Sequence, residues 1–346
     1  MKTFAVFNPT AGRGKAGKRW KELEQKLETV HGPITPCCTE YPGHATILTR
    51  QALEEEADQI IAVGGDGTVN EVVNGWFEND QPINPETSMS VLMCGSGCDF
   101  QRSLIPEAFV HPTPEGNPSE TKQIDVGKMT FRDESDGSSV RYYANIGSLG
   151  LSGEVDRFLM RHPNLKQLGG KALFLYATLI QLLRCPQFQL KIRLDDDSEF
   201  EVQSRLVAVA NGQFFGGGMQ VAPEALLDDG LFDVIWLKEM NLATFLRHLP
   251  KVYFGKHMGI PEIQHQRAKK VEVQSDENVW LDIDGESPGK LDACFEILPG
   301  LLKLKNLIDL ENGNTLLQPP GSSSMGSSTG GPPFGFGCCF SDAPFR

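Results

Sequence analysis

The stretch Ile60–Gly75, IIAVGGDGTVNEVVNG, decides the fold of this chain. It opens as an apolar run typical of a buried strand and closes with apolar residues at helical spacing. That helical face consists of Val69, Val72, Val73, Trp76 and Phe77. Three glycines and one aspartate stand between the strand and the helix. The stretch therefore predicts a strand, a glycine-rich loop and a helix in direct succession.

The same alternation of strand and helix extends over the first third of the chain. TFAVF (residues 3–7) and MSVLM (residues 89–93) are further apolar runs, and residues 41–57 form a helical segment introduced by Pro42 and Gly43. Trp20, Leu23, Leu27 and Val30 lie on one face of another helix. The pattern predicts a parallel sheet covered by helices, in an α/β nucleotide-binding domain over residues 1–125.

The remainder of the chain has a different pattern. Short β-type runs dominate residues 126–310, with helices expected only around Ala172–Leu183 and Leu242–Lys256. These runs predict a β-rich, sandwich-like second domain. Residues 311–346 are rich in Gly, Ser and Pro, so we expect a disordered tail.

Bulk composition limits the function. The chain has 346 residues and a net charge of −13, which argues against binding to nucleic acid. The longest apolar segment is far shorter than the roughly 20 residues that cross a bilayer. The first residues lack the apolar core of a signal peptide. We therefore expect a cytoplasmic protein whose cysteines are free thiols.

The GGDGT loop has the chemistry of a phosphate site. Gly64, Gly65 and Gly67 would let the backbone approach a ligand and adopt positive φ, and the following helix directs its free N–H groups at the loop. Asp66 would repel a phosphate unless Mg²⁺ lies between them, or unless it acts as a base toward a hydroxyl. Thr68 is a candidate N-cap, with Glu71 completing a capping box, and the Thr68 hydroxyl is also a candidate phosphate ligand.

Two further glycine-rich loops follow predicted strands. NPTAGRGK (residues 8–15) carries Gly12 and Gly14 among cations, and CGSGCDF (residues 94–100) carries Gly95 and Gly97, with Asp99 two residues further on. The carboxyl ends of parallel strands lie at one edge of a sheet. We therefore expect the three loops to converge there.

These motifs resemble, in order, those of the diacylglycerol kinase catalytic-domain superfamily, which includes bacterial lipid kinases, sphingosine kinases and ceramide kinases. The similarity continues in NGQFFGGGMQVAPEALLDDGLFDV (residues 211–234) and in DIDGES (residues 282–287). GGDGT alone also occurs in NAD kinases and phosphofructokinase-like enzymes. The later motifs are specific to the lipid-kinase branch, and the resemblance extends from about Thr3 to Leu304.

The resemblance implies a set of site residues. Those implied to contact ATP are Asn8, Gly12, Gly64, Gly65, Asp66, Gly67, Thr68, Gly95, Ser96 and Gly97. Those implied to organise Mg²⁺ and water beside the phosphates are Asp66, Asp99 and Asp125. Asp284 is the implied base toward the acceptor hydroxyl, with Glu286 and Asp66 as further catalytic residues. A structural Mg²⁺ is implied at Asp229, with backbone carbonyls near Leu226 and Leu231.

One position departs from the family pattern. Most relatives have Asn where this chain has Cys98, and a thiol cannot replace an amide that both donates and accepts hydrogen bonds. Either the Asn serves the local loop conformation, or the nucleotide site is altered. The late strand VWLDIDG places Asp282 and Asp284 on one face, which taken alone fits either a solvated hairpin or a catalytic strand end.

The combined expectation is an ATP- and Mg²⁺-dependent lipid kinase that phosphorylates a hydroxyl of a lipid such as diacylglycerol or a sphingoid-type lipid. It would act peripherally on a membrane. The basic segment Leu246–Gly259 is either a lipid-facing helix or a merely solvated amphipathic one. The alternative functions are an NAD kinase-like or other small-molecule kinase, and a catalytically weak nucleotide- or lipid-binding regulator. The sequence leaves a homodimer open.

Overall fold

The computed structural model describes residues 1–94, 98–104, 121–133, 135, 137–162, 170–238, 240–305, 308–309 and 314–315. Its helices are α1 (Lys15–His31), α2 (His44–Glu54), α3 (Asp66–Trp76), α4 (Asp99–Ser103), α5 (Leu151–Arg161), α6 (Gly170–Arg184) and α7 (Leu242–Tyr253). None of the described helices is long and apolar enough to span a membrane.

The strands fall into two groups along the chain. The first group is β1 (Thr3–Phe7), β2 (Ile34–Cys38), β3 (Gln59–Gly64), β4 (Phe77–Glu78), β5 (Gln81–Pro82), β6 (Ser88–Met93), β7 (Thr121–Arg132) and β8 (Ser138–Tyr143). The second group is β9 (Ile146–Gly150), β10 (Phe188–Leu194), β11 (Phe200–Ser204), β12 (Leu206–Ala210), β13 (Phe214–Phe215), β14 (Met219–Gln220), β15 (Phe232–Leu237), β16 (Ile263–Ala268), β17 (Lys270–Gln274), β18 (Leu281–Ile283), β19 (Lys290–Lys305), β20 (Ile308–Asp309) and β21 (Asn314–Thr315).

The parallel sheet predicted for the N-terminal part is present. Its strands run in the order β6, β3, β1, β2, and all are parallel. Every residue of β1 is buried because its two faces pack on different helices. Phe4 and Val6 lie in the core formed with α2 and α3, whereas Ala5 and Phe7 pack against Leu23 and Leu27 of α1. Helices therefore cover both faces of the sheet, because alternate residues of this five-residue strand point to opposite faces.

The long strand β19 joins the parallel strands to the antiparallel part of the same sheet. β7 pairs antiparallel with β19 along its length, whereas on the other edge β17 pairs antiparallel with Ala293–Glu296 and Met89 of β6 pairs in parallel with Leu304. A register shift in the β7 pairing, between Leu298 and Leu302, lies between these last two partners. The predicted boundary at residues 125 and 126 falls within β7 and stays a prediction.

The β-rich part is a sandwich of two sheets. The second sheet has the order β16-β15-β12-β9-β18 and is antiparallel. Its inner face packs on the antiparallel half of the first sheet, with Val207, Val234 and Leu281 against Val271 and Phe295. Its opposite face is covered by α7 and by parts of α5 and α6.

Several elements differ from the sequence expectations. Phe77 was placed on the α3 face but begins β4. The edge strand β2 and the helix α5 were not expected, because ITPCC contains a proline and α5 contains Gly153 early in its sequence. Gly153 is required there, since a Cβ would lie 2.5 Å from the Trp280 carbonyl oxygen.

The six cysteines that the structure describes form no disulfide, as expected. Of the predicted disordered tail, the structure describes only Asn314 and Thr315, which form β21 and pair with β20. The expectation for the other tail residues lies outside the described part of the chain.

Candidate active site

The first and second glycine-rich loops meet at the carboxyl edge of the parallel sheet. The side-chain amide of Asn8 donates to Thr68 Oγ1 at 3.1 Å, which ties the two loops together. A Cβ on Gly12 would lie 2.3 Å from the Cys94 carbonyl oxygen, so the first loop also touches the start of the third. The Cys94 N–H donates to the Gly64 carbonyl at 2.6 Å. These contacts confirm the convergence, while Gly95, Ser96 and Gly97 lie outside the described residues.

The glycines of GGDGT do not need positive φ, contrary to the expectation. Gly65 is extended with φ −101°, and neither Gly64 nor Gly67 is among the positive-φ glycines. Gly64 is required by space, because a Cβ there would lie 2.3 Å from Thr68 Oγ1. A Cβ on Gly67 would lie 3.6 Å from a Glu286 carboxylate oxygen. The turn that carries Glu286 therefore approaches the GGDGT loop at this glycine.

The predicted capping box is wrong. α3 begins at Asp66 with Gly65 as its N-cap, and no side chain caps it. Thr68 is buried within the helix, and its hydroxyl accepts from Asn8. Glu71 instead accepts from the N–H of Ala45 at 3.0 Å at the start of α2. The first-turn N–H groups of α3 therefore lack a side-chain cap, which suits an anion-binding helix end.

Two carboxyl groups come together at this edge. Asp66 Oδ1 accepts from the Phe100 N–H at 3.1 Å, and Asp99 Oδ2 accepts from the Gly217 N–H at 2.7 Å. Burial raises the pKa of Asp66. Burial, and next the charge of Asp66, raises the pKa of Asp99 to about 6. The unbound pair is therefore electrostatically costly.

The Asp66–Asp99 pair fits a divalent cation. Asp99 Oδ1 is buried and accepts no hydrogen bond from any described residue, while Arg102 Nε lies 3.9 Å away. Two neighbouring carboxyls, one with an oxygen that has a long ion pair but no hydrogen bond, are a donor set that Mg²⁺ takes together with substrate phosphates. The described residues hold no cluster of three or more His, Cys, Asp and Glu able to bind a metal by themselves. A cation here would therefore need oxygens from the nucleotide or from water.

Asp125 has a different set of partners. Its two carboxyl oxygens accept from the N–H groups of Gly230 and Gly300, at 2.7 and 2.8 Å. The side chain thus ties β7 to the turn before β15 and to the bend in β19. Its assignment to the magnesium network stays a prediction.

The guanidinium of Arg267 contacts Asp229 at the position where a structural metal was predicted. Asp229 Oδ1 accepts from the Leu231 N–H at 3.1 Å, and the Arg267 guanidinium donates to Asp229 Oδ2. Arg267 Nε also lies 3.6 Å from Asp233 Oδ2. Because both oxygens of Asp229 have donors and one donor is positively charged, this arrangement does not fit a metal ion.

Cys98 occupies a backbone conformation that explains the asparagine of most relatives. Its φ is 54° and its ψ is 36°, in the left-handed region, at the N-cap of α4. Asn tolerates this region better than most residues. The geometry supports a role for that asparagine in the local loop conformation.

Asp284 lies at the end of β18, as the sequence predicted. It has a left-handed φ of 49°, and its Oδ1 accepts from the Ile146 N–H at 2.9 Å. Its Oδ2 accepts from the Asn70 side-chain amide at 3.1 Å, and Asn70 lies on α3. Burial raises the pKa of Asp284 to about 7, although both hydrogen bonds lower it. Such a group is suited to accept a proton near neutral pH.

A buried polar group behind Asp284 was not predicted. Asp282 Oδ1 accepts from the Gly285 N–H at 2.9 Å, and Asp282 Oδ2 accepts from Ser148 Oγ at 2.9 Å. The carboxyl of Asp156 on α5 also hydrogen-bonds with Asp282, and burial raises the pKa of Asp156 well above its usual range. Burial and the neighbouring Asp282 carboxyl therefore favour the neutral form of Asp156. The pair holds the turn that presents Asp284, and a solvated hairpin is excluded for this strand.

Glu286 closes the same turn. Its N–H donates to the Ile283 carbonyl at 2.9 Å, and Ile283 N–H donates back to the Glu286 carbonyl at 2.8 Å. Partial desolvation, and next the charge of Glu71, raises the pKa of the Glu286 carboxyl, although the residue keeps an exposed surface. One of its carboxylate oxygens lies 3.6 Å from where a Cβ on Gly67 would be, so Glu286 faces the start of α3.

An apolar cavity opens between the second sheet and three helices. Ser152 and Val155 of α5, Phe174 of α6 and Leu249 of α7 line it. The β13–β14 hairpin also contributes Phe215 and Met219. Two contacts connect it to the site. Ser152 hydrogen-bonds with Asp282, and the tip of the hairpin donates from Gly217 to Asp99.

Comparison with known proteins agrees with this arrangement. Residues 2–129 match the diacylglycerol kinase catalytic domain, and residues 148–306 match the YegS C-terminal NAD kinase beta sandwich-like domain. A diacylglycerol kinase of Staphylococcus epidermidis is 31% identical over 294 residues, which are 84% of this chain and 87% of the relative. A diacylglycerol kinase of Bacillus subtilis is 30% identical, covering 84% of this chain and 91% of the relative.

A solved structure has the same fold. The crystal structure of a diacylglycerol kinase from Bacillus anthracis superposes with a TM-score of 0.60 at 22% identity, covering 88% of this chain and 96% of that one. With the converging loops, the paired carboxyls and the acidic turn, these matches lead to one conclusion. The chain belongs to the diacylglycerol kinase family and is a kinase that transfers phosphate to a hydroxyl group.

Proposed function

We propose that this enzyme transfers the γ-phosphate of ATP to a hydroxyl of a membrane lipid whose hydrocarbon chain enters the apolar cavity. One observation carries the proposal. Asp284 is held by Asn70 on the helix of the GGDGT loop and, through the turn at Gly285, by Asp282, which hydrogen-bonds with the cavity residue Ser152. Asp284, the candidate base, thus lies between the GGDGT loop and the apolar cavity.

The chain's residues account for the steps of such a transfer. The loops at Asn8, Gly12 and Gly64–Thr68 bind the nucleotide, and Asp284 accepts the proton of the attacking hydroxyl. Mg²⁺ held by Asp66 and Asp99 would neutralise phosphate charge. Alignment of the hydroxyl with the γ-phosphorus supplies much of the rate in reactions of this class.

The outer surface of α7 supports peripheral contact with a cytoplasmic membrane face. Arg247 and Lys251 are exposed on this helix, and Phe254, which follows it, is 72% exposed. Basic residues beside an exposed aromatic ring suit an interface with anionic lipid. Because Leu249 and Val252 of the same helix line the cavity, a bound membrane would lie beside the cavity wall.

Filling the cavity tests the proposal. Leu249→Trp is expected to lower kcat/KM for a long-chain lipid acceptor by about tenfold or more, because the added ring competes with the chain for a packed space. The KM for ATP is expected to stay within about twofold of wild type, since Leu249 lines the cavity and is not part of the nucleotide loops. Steady-state kinetics in mixed micelles measures both values.

Leu183→Trp is the matched control. Leu183 lies on α6, which also contributes to the cavity wall, but its side chain is 66% exposed. A folded Leu249→Trp enzyme with unchanged lipid kinetics would show that the acceptor chain does not use the cavity.

A further inference from the structure

The apolar cavity contains two histidine rings with unused nitrogen atoms. His248 and His257 both line it. Within the described residues, Nδ1 of each ring is buried and has no hydrogen-bond partner. His257 is the more enclosed of the two, at 2% exposure. A buried polar atom without a partner is costly, so this position favours a ligand that supplies one.

The tautomer of His257 determines which kind of ligand group fits. Its Nε2 lies 2.9 Å from the carbonyl oxygen of Val221. A carbonyl oxygen only accepts, so Nε2 must carry the hydrogen of this bond. Burial lowers the pKa of His257 and favours the neutral ring. In a neutral imidazole protonated at Nε2, Nδ1 is an acceptor, and its partner must therefore be a donor.

This requirement separates classes of lipid acceptor. A diacylglycerol has one hydroxyl, which is consumed in the transfer, and its two ester carbonyls only accept. A lipid with an amide N–H or a second hydroxyl has a donor to spare. Apart from the two histidines, Ser152, Thr178 and Trp236, the residues that line the cavity have apolar or thioether side chains. His257 is therefore one of few groups in the cavity that could accept from that donor, and the His257→Phe variant separates its contribution from that of His248.

We propose that the preferred acceptor is a lipid with a second hydrogen-bond donor, an amide N–H or a further hydroxyl, and that His257 selects it by accepting that hydrogen bond. This specificity rests on the proposed lipid-kinase function and deepens it. It predicts that an acceptor with esters alone is the poorer substrate. A water molecule trapped at Nδ1 is the competing explanation, and it gives no such preference.

The test compares a ceramide with a diacylglycerol of the same acyl length, in detergent micelles with ATP and Mg²⁺. Wild-type kcat/KM is expected to favour the ceramide by about tenfold or more, the cost of leaving one buried acceptor unpaired. His257→Phe is expected to reduce the ceramide-to-diacylglycerol ratio by a similar factor. His162→Phe is the control, since His162 is exposed at the end of α5 and is not part of the cavity wall.

Each outcome decides the proposal. A wild-type preference for diacylglycerol, or a ratio that His257→Phe leaves unchanged, overturns it in favour of a trapped water. If His257→Phe does not fold, as judged by its melting temperature and ATP binding, the wild-type ratio alone decides. If neither lipid is phosphorylated, the proposed function fails, and binding of a fluorescent ceramide against a fluorescent diacylglycerol decides the selectivity separately. Equal binding overturns it, and tighter binding of the ceramide supports it.

Discussion

Replacing Asp284 by asparagine is expected to lower kcat by about 10² to 10⁴-fold, the usual contribution of a general base. The change is nearly isosteric. Asn can still accept from the Ile146 N–H through its carbonyl oxygen, so the turn should keep its place. The affinity for ATP should stay close to wild type, because the nucleotide loops are built from other residues.

The pH dependence of kcat/KM is a second test of Asp284 as the general base. A base with a pKa of about 7 is protonated and inactive below that pH. Wild-type kcat/KM should therefore fall as the pH drops below about 7, and Asp284→Asn should remove this dependence from its residual activity.

Asp276→Asn is the control for both measurements, since Asp276 is exposed in the loop before the same strand. Asp282, the other aspartate of this strand, is unsuitable as a control because its carboxyl accepts from the Gly285 N–H and hydrogen-bonds with Asp156. A folded Asp284→Asn enzyme with wild-type kcat would remove Asp284 from the chemistry, and the base would then have to be sought at Asp66.

Asp66→Asn is expected to abolish measurable turnover without lowering the melting temperature. In the proposed mechanism, Asp66 and Asp99 together would hold the cation that neutralises the phosphate charge. The substitution Asp66→Asn is expected to affect stability in the opposite direction to its effect on turnover. Burial raises the folded-state pKa of Asp66 above its unfolded value, so its stabilising contribution is lost as the pH rises through the folded pKa. At neutral pH the neutral Asn avoids that penalty.

Thermal unfolding and kinase assays on the same Asp66→Asn sample check both expectations, again with Asp276→Asn for comparison. Wild-type activity in the folded variant would contradict the role of Asp66. A large fall in melting temperature would show instead that the backbone N–H groups of Phe100, Asp99 and Cys98 need both carboxylate oxygens of Asp66 as acceptors, whereas an Asn amide offers one.

The layered fold could be predicted because its signals are local. The apolar runs at Thr3–Phe7 and Gln59–Gly64 form buried strands, and the valines of α3 mark the helix face that packs on them. The edge strand β2 could not be predicted in this way. Among the described strands it pairs with β1 alone, and its residues do not alternate between buried and exposed.

Only those residues of the site that belong to sequence motifs could be predicted. Asp66 begins α3, Asp99 begins α4 and Asp284 directly follows β18, whereas the roles that the resemblance implies for them stay predictions. Thr68 was misassigned because its tertiary contact with Asn8 overrides the local capping pattern. The Asp156–Asp282 pair carries no sequence signal, since the two residues are distant in the chain and only the packing of α5 on β18 joins them.

The most direct measurement of the central claim uses ATP labelled in its γ-phosphate and three acceptor mixtures, namely extracted membrane lipids, NAD and buffer alone. We expect the wild-type enzyme to transfer label into a chloroform-soluble product from the lipid mixture and Asp284→Asn to transfer none. Label on NAD would instead identify a kinase for a soluble acceptor. Binding of ATP without transfer to any acceptor would contradict the catalytic account and indicate a nucleotide-binding regulator.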